Sequence, residues 1–194
     1  MVVVAATESI WTRLGSAVAF TGRMTLVDHT VLLGDGTQAH YEVDESYPFA
    51  VATLVVDGDS VLLTRQFRYP IGQWILDLPG GAGEVGERSI DAARRELEEE
   101  LGLVANELRP LRMFFTNPGR SAWPVHIFVS SSGTRAGIAD RSDPAEQVRV
   151  VCMPVQELDL HIASGEIIDP SLIVARTAAA ISGALPPLTF GRVR

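Results

Sequence analysis

The strongest constraint in this chain is an acidic stretch written with the period of a helix. From Gly80 to Leu103 the sequence reads GGAGEVGERSIDAARRELEEELGL. Ile90, Ala93, Leu97 and Leu101 recur at helical spacing, which predicts a helix from about Ser89 to Leu101 with Gly102 as its natural stop. At about 100° per residue, Glu96, Glu99 and Glu100 fall within an arc of about 100°. Glu96 lies one helical turn from both Glu99 and Glu100. At such spacings like charges repel and weaken a helix by a few tenths of a kcal/mol per pair. Leu97 and Leu101 flank the arc and turn one side of it toward a core. A helix that crowds carboxylates beside its own apolar stripe needs cations there. Hard divalent ions suit the place, because Mg²⁺ takes oxygen ligands and is commonly held by one or two carboxylates together with substrate phosphates. The turn Pro79-Gly80-Gly81 can bring a backbone carbonyl to the same cluster.

The remaining pattern frames this helix with strands. Ala17 to Glu45 reads as strands, with a hairpin formed by Thr30–Leu33, a Gly34-Asp35-Gly36 turn and Gln38–Val43. Residues 1 to 15 read as a loosely held arm or short helix. Phe49–Val56 and Ser60–Phe67 form a second hairpin around Asp57-Gly58-Asp59, expected at the centre of the main sheet. Further strands are expected at Trp74–Leu78, Leu111–Thr116, Val125–Ser130 and Val148–Val155. Two more helices follow. One spans about Val155 to Ser164 before Gly165; the other runs to about Ser182 behind an Asp169 cap and Pro170 at its first position. Strands mixed with flanking helices predict an α/β sandwich. Residues 1–45 then form an N-terminal arm and β subdomain, and residues 46–194 the main domain.

Composition narrows the function. The net charge of −8 argues against nucleic acid or an anionic membrane surface as the main partner. No stretch reaches the roughly 20 apolar residues that span a bilayer; Ser171–Leu188 comes nearest and is broken by Arg176 and Pro186-Pro187. The lone cysteine, Cys152, excludes an internal disulfide and points to a reducing, cytoplasmic setting. Cys152 lies in the apolar run Val148–Val155, where a buried small hydrophobe is expected. His29, His40, His126 and His161 are scattered and read as structural or surface residues.

The spacing inside the acidic stretch is specific. Gly81 is followed by five residues, Glu87, seven residues, Arg95-Glu96-Leu97, one residue, Glu99-Glu100, one residue, and Gly102-Leu103. Nine fixed positions over 23 residues resemble the signature of the Nudix hydrolase family with every position filled. The resemblance implies a Nudix-type α/β/α sandwich around a mixed sheet. It implies hydrolysis of a diphosphate bond in a nucleoside diphosphate derivative, with two or three Mg²⁺ ions, or Mn²⁺ as a substitute. Glu96, Glu99 and Glu100 match the family's metal-binding glutamates. Glu87 matches its loop glutamate, Gly80 a position whose carbonyl joins the metal shell, and Arg95 the arginine that orients the glutamates.

Outside the signature the chain resembles the ADP-ribose pyrophosphatase branch, whose products would be AMP and ribose 5-phosphate. Arg65-Gln66-Phe67-Arg68 followed by Trp74-Ile-Leu-Asp-Leu-Pro-Gly-Gly looks like that branch's approach to the signature. Arg68 matches a phosphate-contacting arginine, Pro118 a marker proline, and Trp74 is a candidate base-stacking platform. Ser164–Asp169 and the helix behind it look like the branch's C-terminal end. Catalytic roles fall to Glu99, Arg95 and a general base, for which Glu146 is the best positional match and Asp140 and Asp143 lesser ones. The N-terminal subdomain resembles one that helps form a homodimer. Tyr47-Pro48-Phe49 departs from the branch's histidine-containing segment, which leaves the adenine contacts open. The alternatives are another nucleoside diphosphate sugar, a dinucleotide such as NADH, or a non-catalytic nucleotide sensor.

Overall fold

A computed structural model describes residues 11–131, 133–135 and 148–189. The chain divides into two compact units, Met1–Pro48 with Asn117–Trp123, and Phe49–Thr116 with Pro124–Arg194.

The first unit is a three-stranded antiparallel sheet of β1 (Thr12–Thr21), β2 (Thr25–Leu32) and β3 (Gln38–Asp44), with β2 in the middle. The β2–β3 turn forms where the glycines predict it. It is closed by the Leu33 amide on the Thr37 carbonyl at 2.8 Å and the Thr37 amide on Asp35 Oδ1 at 2.8 Å. β1 starts earlier than expected, inside the stretch read as an arm. Its pairing with β2, from Thr12 opposite Leu32 to Thr21 opposite Thr25, decides its conformation rather than local propensity. The 117–123 segment joins this unit through Asp44. The Asp44 amide donates to the Arg120 carbonyl at 2.7 Å, and Trp123 Nε1 donates to Asp44 Oδ2 at 3.2 Å.

The second unit is built on a seven-stranded mixed sheet. Its strands are β4 (Ala50–Asp57), β5 (Ser60–Arg68), β6 (Gln73–Asp77), β7 (Gly80–Ala82), β9 (Arg109–Phe114), β10 (Val125–Ser131) and β12 (Arg149–Pro154). The order is β12-β5-β4-β10-β9, with β6 paired to β5 and β7 to β4. β4 and β10 run parallel and the other pairs antiparallel. Among the described residues the α-helices are α1 (Ser89–Leu101), α2 (Val155–Ser164) and α3 (Pro170–Ser182), at the positions the sequence predicts. Val51 and Val55 of β4 and Phe128 of β10 pack on Ala92, Ala93 and Leu97 of α1. The alternate residues Ala52, Leu54, Ile127 and Val129 are also buried, and α3 packs over β4, β9 and β10. Successive strand residues face opposite ways, so α1 and α3 cover opposite faces and the α/β/α expectation is met.

Three short pieces differ from expectation. Gly80–Ala82 was expected as turn; it pairs with β4 as β7, with Gly80 opposite Ala52. β8 (Leu103–Ala105) and β11 (Gly133–Arg135) form a two-stranded sheet with no sequence signal of its own. Cys152 was expected to be buried and is exposed. On β12, at the end of the sheet order, Met153 turns inward at 6% exposure and its neighbour therefore turns outward. Among the described residues no helix is long and apolar enough to cross a membrane.

Candidate active site

α1 holds its carboxylates on a rigid base. Leu97 is fully buried beneath them, and Gly102 ends the helix in the left-handed conformation, φ 61°, with its amide on the Glu98 and Leu97 carbonyls. The loop before the helix lies against β4, with the Thr53 amide on the Pro79 carbonyl at 2.9 Å.

Arg95 is the hub of the site. Its Nε donates to Glu87 Oε1 at 3.2 Å, and its Nη1 to Glu96 Oε1 at 2.7 Å and Glu99 Oε2 at 3.1 Å. Its Nη2 donates to the Ala82 carbonyl at 3.0 Å and to Glu87 Oε2 at 3.3 Å. The hydrogen bonds to Glu87, and then those to Glu96, hold the guanidinium proton far more tightly than usual. Arg95 in turn holds the Glu87 carboxyl below its ordinary range, helped by the Glu84 amide. Arg88 and Arg94, the other two arginines of this region, pair with Asp91 instead, at 2.5 and 3.4 Å. One guanidinium therefore serves three glutamates.

Glu100 reaches the other way and accepts the Gly80 amide at 2.9 Å. Gly80 is required by close approach, since a Cβ there would stand 2.1 Å from the Val51 carbonyl oxygen; one at Gly81 would stand 2.6 Å from Glu96 Oε1 and displace that carboxylate. Glu96 is 12% and Glu99 49% exposed, so the cluster grades from a packed floor to an open rim.

The donor set is all oxygen and anionic, which fits a hard divalent cation in kind. Among the described residues no three histidine, cysteine or acidic side chains converge on one point. Arg95 holds Glu96 Oε1 and Glu99 Oε2, and the Gly80 amide holds Glu100 Oε2.

Gly80, Gly81, Glu87, Arg95, Glu96, Glu99 and Glu100 thus meet at one place, with Leu97 and Leu103 in the core below. The other candidates have other partners. Arg68 forms an ion pair with Asp77. Trp74 packs with Phe67 at 5.8 Å between ring centres, and the guanidiniums of Arg65 and Arg149 lie 5.2 and 5.4 Å from its own ring centre. Pro118 belongs to the first unit. Glu146, Asp140 and Asp143 lie outside the described residues. Sequence reading missed Asp77, the last residue of β6, a 5% exposed carboxylate paired with Arg68; a carboxylate signals a partner in this way only once its burial is known.

The comparisons with known proteins agree with this construction. A family model described as the NUDIX domain matches residues 46–172. The chain is 32% identical over 164 residues to the ADP-ribose pyrophosphatase of Bacillus subtilis (strain 168), covering 84% of this chain and 85% of that protein. It is 28% identical over 158 residues to the methanol dehydrogenase activator of Bacillus methanolicus, covering 80% of this chain and 85% of that protein. The crystal structure of an ADP compounds hydrolase superposes with a TM-score of 0.76 at 20% identity, over 93% of this chain and 98% of that one, which shows the shared fold. The chain therefore belongs to the Nudix family, as a pyrophosphohydrolase of the ADP-ribose pyrophosphatase-like branch.

Proposed function

We propose that this chain hydrolyses ADP-ribose to AMP and ribose 5-phosphate with Mg²⁺ as cofactor. The observation that carries the reading is the charge imbalance around Arg95, where one guanidinium holds Glu87, Glu96 and Glu99 together beside the Gly80–Glu100 contact. The choice of ADP-ribose is supported by the match to the Bacillus subtilis enzyme over most of both chains.

Glu96, Glu99 and Glu100, with Glu87 and the Gly80 backbone, would hold the ions. When bound, such ions offset the charge of a diphosphate and lower the pKa of water. The chain's own residues do the rest. Arg95 keeps its glutamates in place through a planar fork of donors. Arg68 supplies a charge-assisted contact to a phosphate oxygen. Water attacks one phosphorus, the bridging P–O bond breaks, and the water's proton passes to Glu99 or to the candidate base Glu146.

The test is hydrolysis of ADP-ribose, other nucleoside diphosphate sugars and NADH, with and without Mg²⁺. ADP-ribose should give the highest kcat/KM, with AMP and ribose 5-phosphate as products. A faster reaction with another member of the panel would overturn the substrate assignment. Tight ADP-ribose binding without turnover would overturn the catalytic one.

A homodimer is part of the same reading. All ten residues of β1 are exposed, with Leu14 at 54%, Val18 at 63% and Phe20 at 57%. An exposed apolar edge strand of this length calls for cover, and a second copy of the chain supplies it. Sedimentation should give twice the mass of one chain, and Val18→Lys should shift it to one.

A further inference from the structure

Two arginines meet on neighbouring strands with no acid between them. Arg65 of β5 and Arg149 of β12 are direct antiparallel partners, and both are exposed. Like charges set opposite one another weaken a strand pair. Neither guanidinium forms an ion pair among the described residues, although the chain carries 24 acidic residues against 16 basic ones. Both turn instead to one indole, that of Trp74 on β6, with 5.2 Å to the ring centre from Arg65 and 5.4 Å from Arg149. β6 and β12 flank β5 on opposite sides, so Arg149 reaches over a whole strand to get there. Phe67, the cross-strand partner of Trp74, braces the ring at 5.8 Å between centres. Two cations thus converge where repulsion alone would part them.

We propose that Arg65, Trp74 and Arg149 form a cradle for the dianionic end of a phosphate monoester, separate from the phosphate contact proposed for Arg68. A guanidinium stacked on an aromatic ring keeps its N–H edge open, and that edge matches phosphate oxygens in pairs. Trp74 is then the post that holds two forks rather than a platform for a base, because guanidiniums already face its ring. A monoester phosphate carries about −1.5 to −2 charge near pH 7, which suits two guanidiniums. A diphosphate inside a larger molecule has no such doubly charged end. Successive strand residues face opposite ways. Arg68 stands three residues from Arg65, and Asp77 three from Trp74, so the Arg68–Asp77 pair lies on the other face of the β5–β6 hairpin.

An anion resolves what stacking alone leaves unexplained. One guanidinium would serve the indole, and the second adds only repulsion until negative charge arrives between them. The hairpin also has apolar surface for the carbon part of a monoester. Phe67 and Trp74 are 42% and 38% exposed, and Tyr69 and Ile71 in the turn between their strands are more exposed still. Hydrolysis of a diphosphate releases monoesters, so the reaction proposed above supplies the ligand in its products. Naming those products as AMP and ribose 5-phosphate rests on that function; the charge of the cradle does not.

The test is binding without turnover. Tryptophan emission of the full chain is followed at about pH 8, where the monoester is a dianion, without Mg²⁺. Inorganic phosphate, ribose 5-phosphate or AMP is added, with sodium chloride at matched ionic strength as the control. A saturable change is expected with all three and none with chloride. The chain has three tryptophans, and Trp74→Phe should abolish the change, which places it at the cradle. Arg65→Gln and Arg149→Gln should each weaken binding about tenfold, and Arg68→Gln should leave it unaltered. Arg149→Lys keeps the charge and loses the fork, so it should also bind more weakly, and it decides the matter if the glutamine variant does not fold. Tighter binding of the two organic monoesters than of inorganic phosphate would place their carbon part on the hairpin. Equal binding would make the phosphate group itself the ligand, and either result supports the cradle. A chloride response of the same size, or phosphate affinity unchanged in folded Arg149→Gln and Arg149→Lys, would overturn it. If ADP-ribose were not hydrolysed at all, the proposed function would fall, and phosphate binding would still decide the cradle.

Discussion

Two arginines of the second unit invite comparison. Arg176 of α3 is fully buried against Asp159 of α2, which is 1% exposed. Its Nε and Nη2 meet the two Asp159 oxygens at 2.7 and 2.8 Å, and its Nη1 meets the Pro186 carbonyl at 2.9 Å. Thr189 completes the set, giving Asp159 Oδ2 its amide at 3.0 Å and its hydroxyl at 3.1 Å. One positive charge meets one negative charge, and the segment behind α3 is pinned to α2. Arg95, by contrast, is 30% exposed and faces three carboxylates. The first arrangement is balanced and closed, so it serves stability. The second is over-supplied with negative charge and open at its rim, so it is poised for something more positive than a single guanidinium.

Four experiments test that contrast, in order of expected size. Arg176→Met leaves a buried carboxylate unpaired and should cost about 3–5 kcal/mol in urea unfolding, with kcat of the folded protein unchanged. An equal loss of kcat would erase the distinction. Glu99→Gln should lower kcat by at least ~100-fold, about 2.7 kcal/mol in the barrier, without loss of stability. Near-normal turnover in a folded Glu99→Gln chain would remove Glu99 from the site. Arg95→Lys keeps the charge but loses the fork, and a drop in kcat of about tenfold is expected. If turnover instead matched the unaltered chain, a point charge would suffice there.

The smallest effect is a pH effect on the closed pair. Burial pushes the Asp159 carboxyl up, but Arg176 and Thr189 outweigh it and hold it below 3.8. A lowered acid contributes stability above its unfolded value that is lost as pH falls through the folded one. Acid unfolding of the unaltered chain should therefore steepen below 3.8 relative to Asp159→Asn. Superimposable acid limbs would show that the charge on Asp159 contributes nothing.

The same contrast explains what could be read from the sequence. The Arg95 cluster was legible because its members lie within one short segment whose spacing is periodic. α1, α2 and α3 were legible for a related reason, since the apolar stripe of α1, the Asp169 cap and the glycines at 102 and 165 all act locally. The Arg176–Asp159 pair was not legible. It joins residues of two different helices, and no local periodicity encodes such a meeting. β7, β8 and β11 were missed because three residues are too few for an alternation to show. Cys152 was misjudged because an apolar run does not reveal which of its residues turn outward.

The parallel pairing of β4 with β10 sets an order of events for a nascent chain. Ala50 partners Val125, with the whole of α1 between them. A ribosome therefore delivers the acidic helix before the strand that will complete the sheet beneath it. Until Val125 to Ser131 emerge, Leu97 and its neighbours have half a floor, and the crowded glutamates have nothing to brace them against mutual repulsion. Truncation just before Val125 would thus leave a chain with every signature residue and no place to assemble them.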